Sequence, residues 1–318
     1  MVSATFDPLI GQPQAVELLT RAITQNRIAP AYLFTGAPGV GRRLAAYCFL
    51  ELLLSPHPPA QNPSLRQRIR QGNHPDLLWV EPTYLHQGKR LSAAAAAELG
   101  LKRKAPPQIR LEQIREIGQF LSRPPLDSPR SVVVLEQSET MAEAAANGLL
   151  KTLEEPGRAT LILIATSGEA LLPTLVSRCQ RIPFRRLSQD AIAQVLTQTG
   201  HAEILQQPEL LALAQGSPGE AIAQWQQLQL IPADLLTALN HPPKSIRHAL
   251  ELARQVTQTL DTETQLGLID YLQHRYWQNQ HKTAPLHQLE AARRHLLSYV
   301  QPRLVWEVTL MKMSSMMA

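Results

Sequence analysis

The stretch AYLFTGAPGVGRR, Ala31 to Arg43, decides how the rest of the chain is read. Its first half, Ala31–Gly36, is a short apolar run bounded by a glycine, which predicts a buried strand. Its second half, GAPGVGRR from Gly36 to Arg43, places Gly36, Gly39 and Gly41 at the spacing of the phosphate-binding loop G-x-x-x-x-G-K-[ST]. Such glycines let main-chain N–H groups wrap a phosphate, and the helix that follows aims its positive end at it. The last two positions depart from the pattern. Arg42 stands where a Lys would reach the terminal phosphates, and a planar fork is not interchangeable with an ammonium. Arg43 stands where a Ser or Thr hydroxyl would coordinate Mg²⁺, and a cation there repels the metal.

Outward from the loop, four more runs predict strands: Asp76–Pro82, Ser131–Gln137, Thr160–Thr166 and Cys179–Phe184. They alternate with helical patterns, which predicts a parallel sheet covered on both faces, an α/β domain over residues 1–185. Residues 83–107 carry five consecutive alanines, a KRK cluster at 102–104 and a proline pair, and are expected to be a surface insertion. From Arg186 the strand runs stop and Leu, Ala and Ile recur at helical spacing, with Gly200 and Gly216 as stop signals. A helical lid over 186–227 and a further helical domain over 228–318 are expected. Tyr271, Tyr276, Trp277, Tyr299 and Trp306 are read there as core or subunit interface rather than as a ligand site.

The run Ser131–Gln137 reads SVVVLEQ and ends at the position where a phosphate-loop hydrolase keeps an acidic pair. Glu136 occupies the metal-side position. Gln137 occupies that of the general base, and a neutral amide cannot accept the proton. Composition sets the outer bounds. With 318 residues, 44% hydrophobic and 18% charged, the chain is globular and long enough for two or three domains at roughly 100–200 residues each. No apolar run approaches the roughly 20 residues of a membrane span. The opening MVSATFDPLIGQPQ lacks a secretory pattern, and a cytoplasmic location is expected. Cys48 and Cys179 supply neither a disulfide framework nor a thiolate zinc site, and no metal site is expected. A net charge of +5 permits contact with nucleic acid without requiring it.

The stretch after the third strand run resembles clamp-loader subunits of the AAA+ class. The resemblance rests on NGLLKTLEEP at 147–156, the Ala165–Thr166–Ser167 strand end and the triplet Ser177–Arg178–Cys179. It also rests on the opening FDPLIGQPQAVELLTRAI and on GNHPDL at Gly72–Leu77, and it covers about residues 5–225. It implies an AAA+ phosphate-loop sheet domain followed by a helical lid and a helical collar that joins subunits. It implies a part in ATP-dependent loading of a sliding clamp on primed DNA, with motor (gamma/tau) and delta subunits as partners. In that family the lid motif G-S-x-R supplies a basic sensor; here it reads Gly216–Ser217–Pro218–Gly219, and the sensor is missing. With Arg42, Arg43 and Gln137, that departure implies a non-hydrolysing stator with no nucleotide of its own, ATP being bound by neighbouring subunits. Arg178 is kept, and the resemblance gives it the role of an arginine finger acting on a neighbour's ATP. Relatives often insert a four-cysteine zinc module ahead of GNHPDL; Leu54–Gln71 holds no Cys, and His57 with His74 cannot complete a tetrahedral site. Basic residues around Arg110–Arg123 are candidates to face DNA. Two alternatives stay open, a weakly active ATPase subunit and a nucleic-acid-binding protein that acts alone.

Overall fold

A computed structural model describes residues 2–56, 62–99, 106–155, 157–280 and 283–315. The chain divides into two compact units, Met1–Ala191 and Ile192–Ala318. The first contains α1 (Pro13–Thr24), β1 (Ala31–Thr35), α2 (Arg42–Leu54), α3 (Pro63–Arg70), β2 (Leu77–Val80), β3 (Tyr84–His86), β4 (Lys89–Leu91) and α4 (Ala93–Glu98). It continues through α5 (Leu111–Leu121), β5 (Ser131–Leu135), α6 (Glu143–Glu154), β6 (Ala159–Ala165), α7 (Pro173–Val176) and β7 (Gln180–Pro183). The five strands expected from sequence form one sheet in the order β2-β5-β6-β1-β7, and every pairing in it is parallel. The reason is burial on both faces: all five residues of β5 and all seven of β6 are buried, so these segments read as unbroken apolar runs.

Helix α6 lies within the expected 142–155, with Ala142 and Glu155 as its caps. Pro156, expected to stop it, lies outside the described residues. Its buried face needs one correction. Ala145 is buried with Ala146, Leu149 and Leu153, while Leu150 is only half-buried at the flank of the core. The residues fall at 145, 146, 149 and 153 because that stripe follows the 3.6-residue turn, and Leu150 lies off it.

The described residues of the insertion take up regular structure. Its base is closed by a pair of main-chain bonds, Thr83 N to Gln108 O at 3.0 Å and Gln108 N to Thr83 O at 3.1 Å. Beyond them β3 and β4 form an antiparallel hairpin and the alanine run becomes α4. Arg90 forks onto the Glu116 carboxylate of α5 and ties the hairpin down. The KRK cluster and His57 lie outside the described residues.

The second unit takes over within α8 (Gln189–Gln198) and contains α9 (Pro208–Ala214), α10 (Pro218–Gln229), α11 (Ala233–Leu239), α12 (Ile246–Thr259), α13 (Thr262–Gln280), α14 (Thr283–Leu297) and α15 (Pro302–Ser315). The regions that the sequence separates at residue 227 pack together here. Glu209 of α9 is ion-paired with Arg275 of α13, and α10 approaches α13 so closely that a Cβ on Gly267 would collide with the Gln227 amide. Of the aromatics, Trp306 and Tyr276 are buried with polar atoms satisfied: Trp306 Nε1 donates to Gln265 Oε1 at 2.9 Å and Tyr276 Oη to Leu239 O at 2.9 Å. Trp277 and Tyr299 are exposed. Among the described residues no helix is long and apolar enough to cross a membrane.

The GNHPDL run has a structural use. Asp76 is buried, and its carboxylate accepts main-chain bonds from Leu126 at 2.6 Å and from Asp127 and Ser128 at 2.8 Å each, fixing the turn that leads into β5. Burial opposes its charge, but the three N–H donors prevail and hold the pKa below the ordinary aspartate value. His74, buried beside it, accepts from Asp76 N at 3.2 Å; burial first, then Arg68, lower its pKa. Both groups bind fewer protons folded than unfolded, so stability rises with pH through their titration range. Stability is therefore expected to fall as pH drops below about 6.5 and again through the carboxylate range. Asp76→Ala should cost about 3 kcal/mol at neutral pH and flatten the lower limb. Urea unfolding across pH checks both, and an Asp76→Ala protein as stable as wild type would contradict the assignment.

Candidate functional site

Because the sheet is parallel, its C-terminal edge gathers the ends of several strands, the usual place for a ligand crevice in open α/β sheets. The loop Gly36–Arg43 leaves β1 there. Thr166 follows β6, Glu136 follows β5 and Glu81 follows β2, brought level by the pairings Thr35↔Ala165 and Val80↔Leu135. Two glycines of the loop are required, Gly36 by a main-chain contact and Gly41 by its left-handed backbone. A Cβ on Gly36 would lie 2.5 Å from Phe184 O, and one on Gly41, at φ +102°, would lie 2.8 Å from Leu9 Cδ1. Gly36 N also donates to Thr166 O at 3.2 Å.

A residue overlooked in the sequence holds the loop from behind. Gln12 is buried, and its amide donates to Val40 O at 3.1 Å and to Arg185 O at 2.7 Å while accepting from Arg185 N at 3.0 Å. It joins the loop to the chain leaving β7. Its only sequence signal is a polar side chain just before the Pro13 that opens α1.

Arg42 and Arg43 both have partners within the chain. Arg42 donates to the main-chain carbonyl of Ala165 at the end of β6, and burial lowers its pKa against the pull of Glu139 and Glu136. Arg43 ion-pairs with Glu136 (Nη1–Oε2, 3.0 Å) and Glu81 (Nη2–Oε1, 3.2 Å). Its guanidinium carbon lies 5.1 Å from the Trp79 ring centre and 5.9 Å from that of Tyr47, and the two rings stack at 4.8 Å and 19°. Trp79 Nε1 donates to Glu136 Oε2 at 3.0 Å. Burial opposes the Arg43 charge, but Tyr47, Glu136 and Glu81 outweigh it and raise the pKa. Burial also raises the pKa of Glu136, with Arg43 and Trp79 pulling it back. Gln137, exposed and in the left-handed region at φ +50°, uses its carbonyl to accept from Thr140 N and Oγ1. Nearby, Glu139 accepts from Thr166 N at 3.3 Å.

A phosphate loop implies a magnesium-bound nucleotide, and this donor set does not suit one. The carboxylates that a metal would need are already satisfied by a guanidinium, the hydroxyl ligand is replaced by that same group, and the base position holds an amide. Among the described residues no cluster of three or more His, Cys, Asp or Glu side chains is arranged to hold a metal ion. Burial raises the thiol pKa to about 12 for Cys48, with Glu51 adding to it, and to about 11 for Cys179, so neither forms a thiolate near neutrality.

Arg178 lies elsewhere. It follows α7 and comes two residues before β7, whose Gln180 pairs with Tyr32 near the start of β1. It is therefore at the N-terminal edge of the sheet, ahead of the Tyr32–Gln180 level that itself lies about 13 Å along β1 from Gly36 at roughly 3.3 Å per residue. Its guanidinium donates to Thr174 O at 3.0 Å and pairs with Glu154 at 3.0 Å, with side chains 40% and 54% exposed. Gly219 lies in the first turn of α10, where Ser217 caps the helix by accepting from Glu220 N at 3.3 Å.

The strand order, the glycine loop after β1 and the helical second unit define an AAA+-type phosphate-loop protein. Residues 11–188 match the family described as "DNA polymerase III, delta subunit", and residues 190–313 match "Cyanobacterial DNA polymerase III delta prime, C-terminal domain". The chain belongs to the delta prime family of DNA polymerase III clamp-loader subunits. It is 32% identical over 185 residues to DNA polymerase III subunit delta' of Bacillus subtilis, covering 57% of this chain and 50% of that protein. It is 35% identical over 199 residues to subunit delta' of Pseudomonas aeruginosa, covering 60% of this chain and 54% of that protein. The chain thus spans about half the length of these relatives. A DNA polymerase III gamma subunit-related protein of Thermotoga maritima shares the fold, with a TM-score of 0.57 at 19% identity over 95% of this chain and 99% of that one.

Gln12→Ala should cost about 2 kcal/mol, since it orphans buried main-chain groups. It should also raise amide exchange selectively across residues 39–43. Unchanged exchange there would show that Gln12 does not hold the loop.

Proposed function

We propose that this chain is the non-hydrolysing delta prime subunit, or stator, of a bacterial DNA polymerase III clamp loader. It assists the ATP-dependent loading of a sliding clamp on primed DNA and binds no working nucleotide of its own. Its partners are the gamma/tau motor subunits and the delta subunit, with the clamp and DNA engaged in the assembled complex. Residues 1–185 form the core, 186–227 serve as the lid and 228–318 as the collar that joins subunits. The observation that carries this reading is the separation of arginines across the sheet. Arg42 and Arg43 pair with the chain's own carbonyl and carboxylates at one edge, whereas Arg178 stands at the other, held by one exposed ion pair and one main-chain carbonyl. Its place at the edge opposite its own loop supports the role that the family resemblance implies, a finger acting in trans on a neighbour's ATP. An exposed ion pair is worth about 0–1 kcal/mol, so leaving Glu154 for a phosphate costs little.

Exposed apolar side chains support the collar role. Leu304 and Val308 recur at four-residue spacing on α15, next in sequence to the exposed Leu297, Tyr299 and Val300. Leu304→Asp with Val308→Asp should weaken assembly with the motor subunits at least tenfold on the order-of-magnitude scale of buried apolar anchors. Sedimentation measures this, and unchanged assembly would exclude the face from the contact.

The finger is tested in the complete complex. Arg178→Ala should assemble normally and lower clamp-stimulated ATPase by at least about tenfold, a conservative bound given the effects of such fingers in other phosphoryl-transfer systems. Arg178→Lys should not restore the rate, because an ammonium lacks the planar fork. A wild-type rate from assembled Arg178→Ala complex would exclude the role.

A further inference from the structure

Glu81 and Glu136 are placed together by the fold rather than by sequence proximity. They follow neighbouring strands whose ends are paired Val80↔Leu135, and Glu136 N donates to Val80 O at 2.9 Å. Two carboxylates at adjacent strand ends repel unless a cation lies between them. Glu81 does push the Glu136 pKa upward, although burial is the larger cause. Arg43 supplies that cation from the first residues of α2, one nitrogen to each carboxylate. Its partners are specified on every side. The stacked Tyr47 and Trp79 rings lie against the guanidinium, and the Trp79 indole N–H holds the carboxylate Oε2 that Arg43 contacts. Tyr47 is one helical turn from Arg43, which puts both on one face of α2.

In a metal-dependent phosphate loop this helix position and the β5 carboxylate share a divalent ion. We propose that Arg43 is a built-in cation standing in for that ion, so that the loop keeps its form without metal or nucleotide and refuses a magnesium-bound one. A guanidinium matches two carboxylates with its fork and stacks on aromatic faces, which a hydrated ion cannot do. Being part of the chain, it is never diluted away. A divalent ion approaching the same carboxylates meets both a filled space and a like charge.

The proposal deepens the reading of this loop as non-hydrolysing, and the two can fail separately. Magnesium-dependent ATPase activity in the wild type would overturn both, whereas an Arg43 variant that gains nothing from metal overturns only the substitution of a metal by Arg43. Arg43→Ala leaves Glu81 and Glu136 facing each other without the guanidinium that links them. Its thermal unfolding midpoint should fall below wild type and rise again with MnCl₂ or MgCl₂, half-maximally on the order of 10⁻³ M as for weak carboxylate sites. NaCl at matched ionic strength should not reproduce the rise, wild type should show none, and adding Glu136→Gln to the variant should abolish it. If Arg43→Ala does not fold in metal-free buffer, refolding with millimolar Mn²⁺ becomes the readout, and recovery of the native far-ultraviolet spectrum supports the proposal. It is overturned if the variant gains nothing from either metal, if NaCl does as well, or if wild type gains as much.

Discussion

The parallel register of five strands is the constraint on which the rest depends. Parallel pairing sends every strand end to one edge and every strand start to the other, so chemistry placed after a strand is separated from chemistry placed before one. Gly36, Glu81, Glu136 and Thr166 follow strands and meet. Arg178 precedes β7 and is excluded from that meeting by the length of the sheet. The separation requires no conformational change and does not depend on the departures in the phosphate loop. It would hold equally in a chain with Lys and Ser or Thr at positions 42 and 43.

Within the loop, energetics turn on charge compensation at an edge that is only partly exposed. Glu136 is mostly withdrawn from solvent, with 16% of its side chain exposed, and a carboxylate in that position is costly without a donor or a cation. Trp79 supplies the donor and Arg43 the cation. Only the Glu136 side is withdrawn from water, since the Arg43 and Glu81 side chains are 51% and 44% exposed, so removing Arg43 costs mainly through the carboxylate it leaves without its ion pair. Arg42 reaches the same end by another route, since the Ala165 carbonyl at a strand end would otherwise need water. Both side chains are thus well suited to holding a loop in place.

Much of this was legible in the sequence, for a physical reason. Strands buried on both faces must be apolar throughout, so SVVVL and TLILIA announce themselves, and a glycine loop between strand and helix fixes which edge carries the site. Glu136 and Gln137 could be assigned by position because they directly follow one of these runs. Glu81 follows another, but its pairing with Glu136 depends on β2 lying beside β5, a strand order that local pattern does not contain. Gln12 was equally hidden, since its partners Val40 and Arg185 lie 28 and 173 residues away. In α6 the spacing of apolar residues gave the helix and most of its face, while the choice between Ala145 and Leu150 depended on which flank α5 covers. The boundary at residue 227 rests on helical spacing and glycine stops, and local spacing does not reveal that α9 and α10 pack against α13.

Three arginines therefore separate by how firmly they are held. Arg42 is fixed to the main chain, and Arg43, though half exposed, pairs with a largely buried Glu136 whose ion pair is lost if it leaves. Arg178 is held by one exposed carboxylate and one exposed carbonyl, both of which water can replace. A residue that acts on a partner has to release its own contacts cheaply, whereas a residue that preserves a loop must not. The same side chain serves both needs here, and burial of its partners decides which one each position meets.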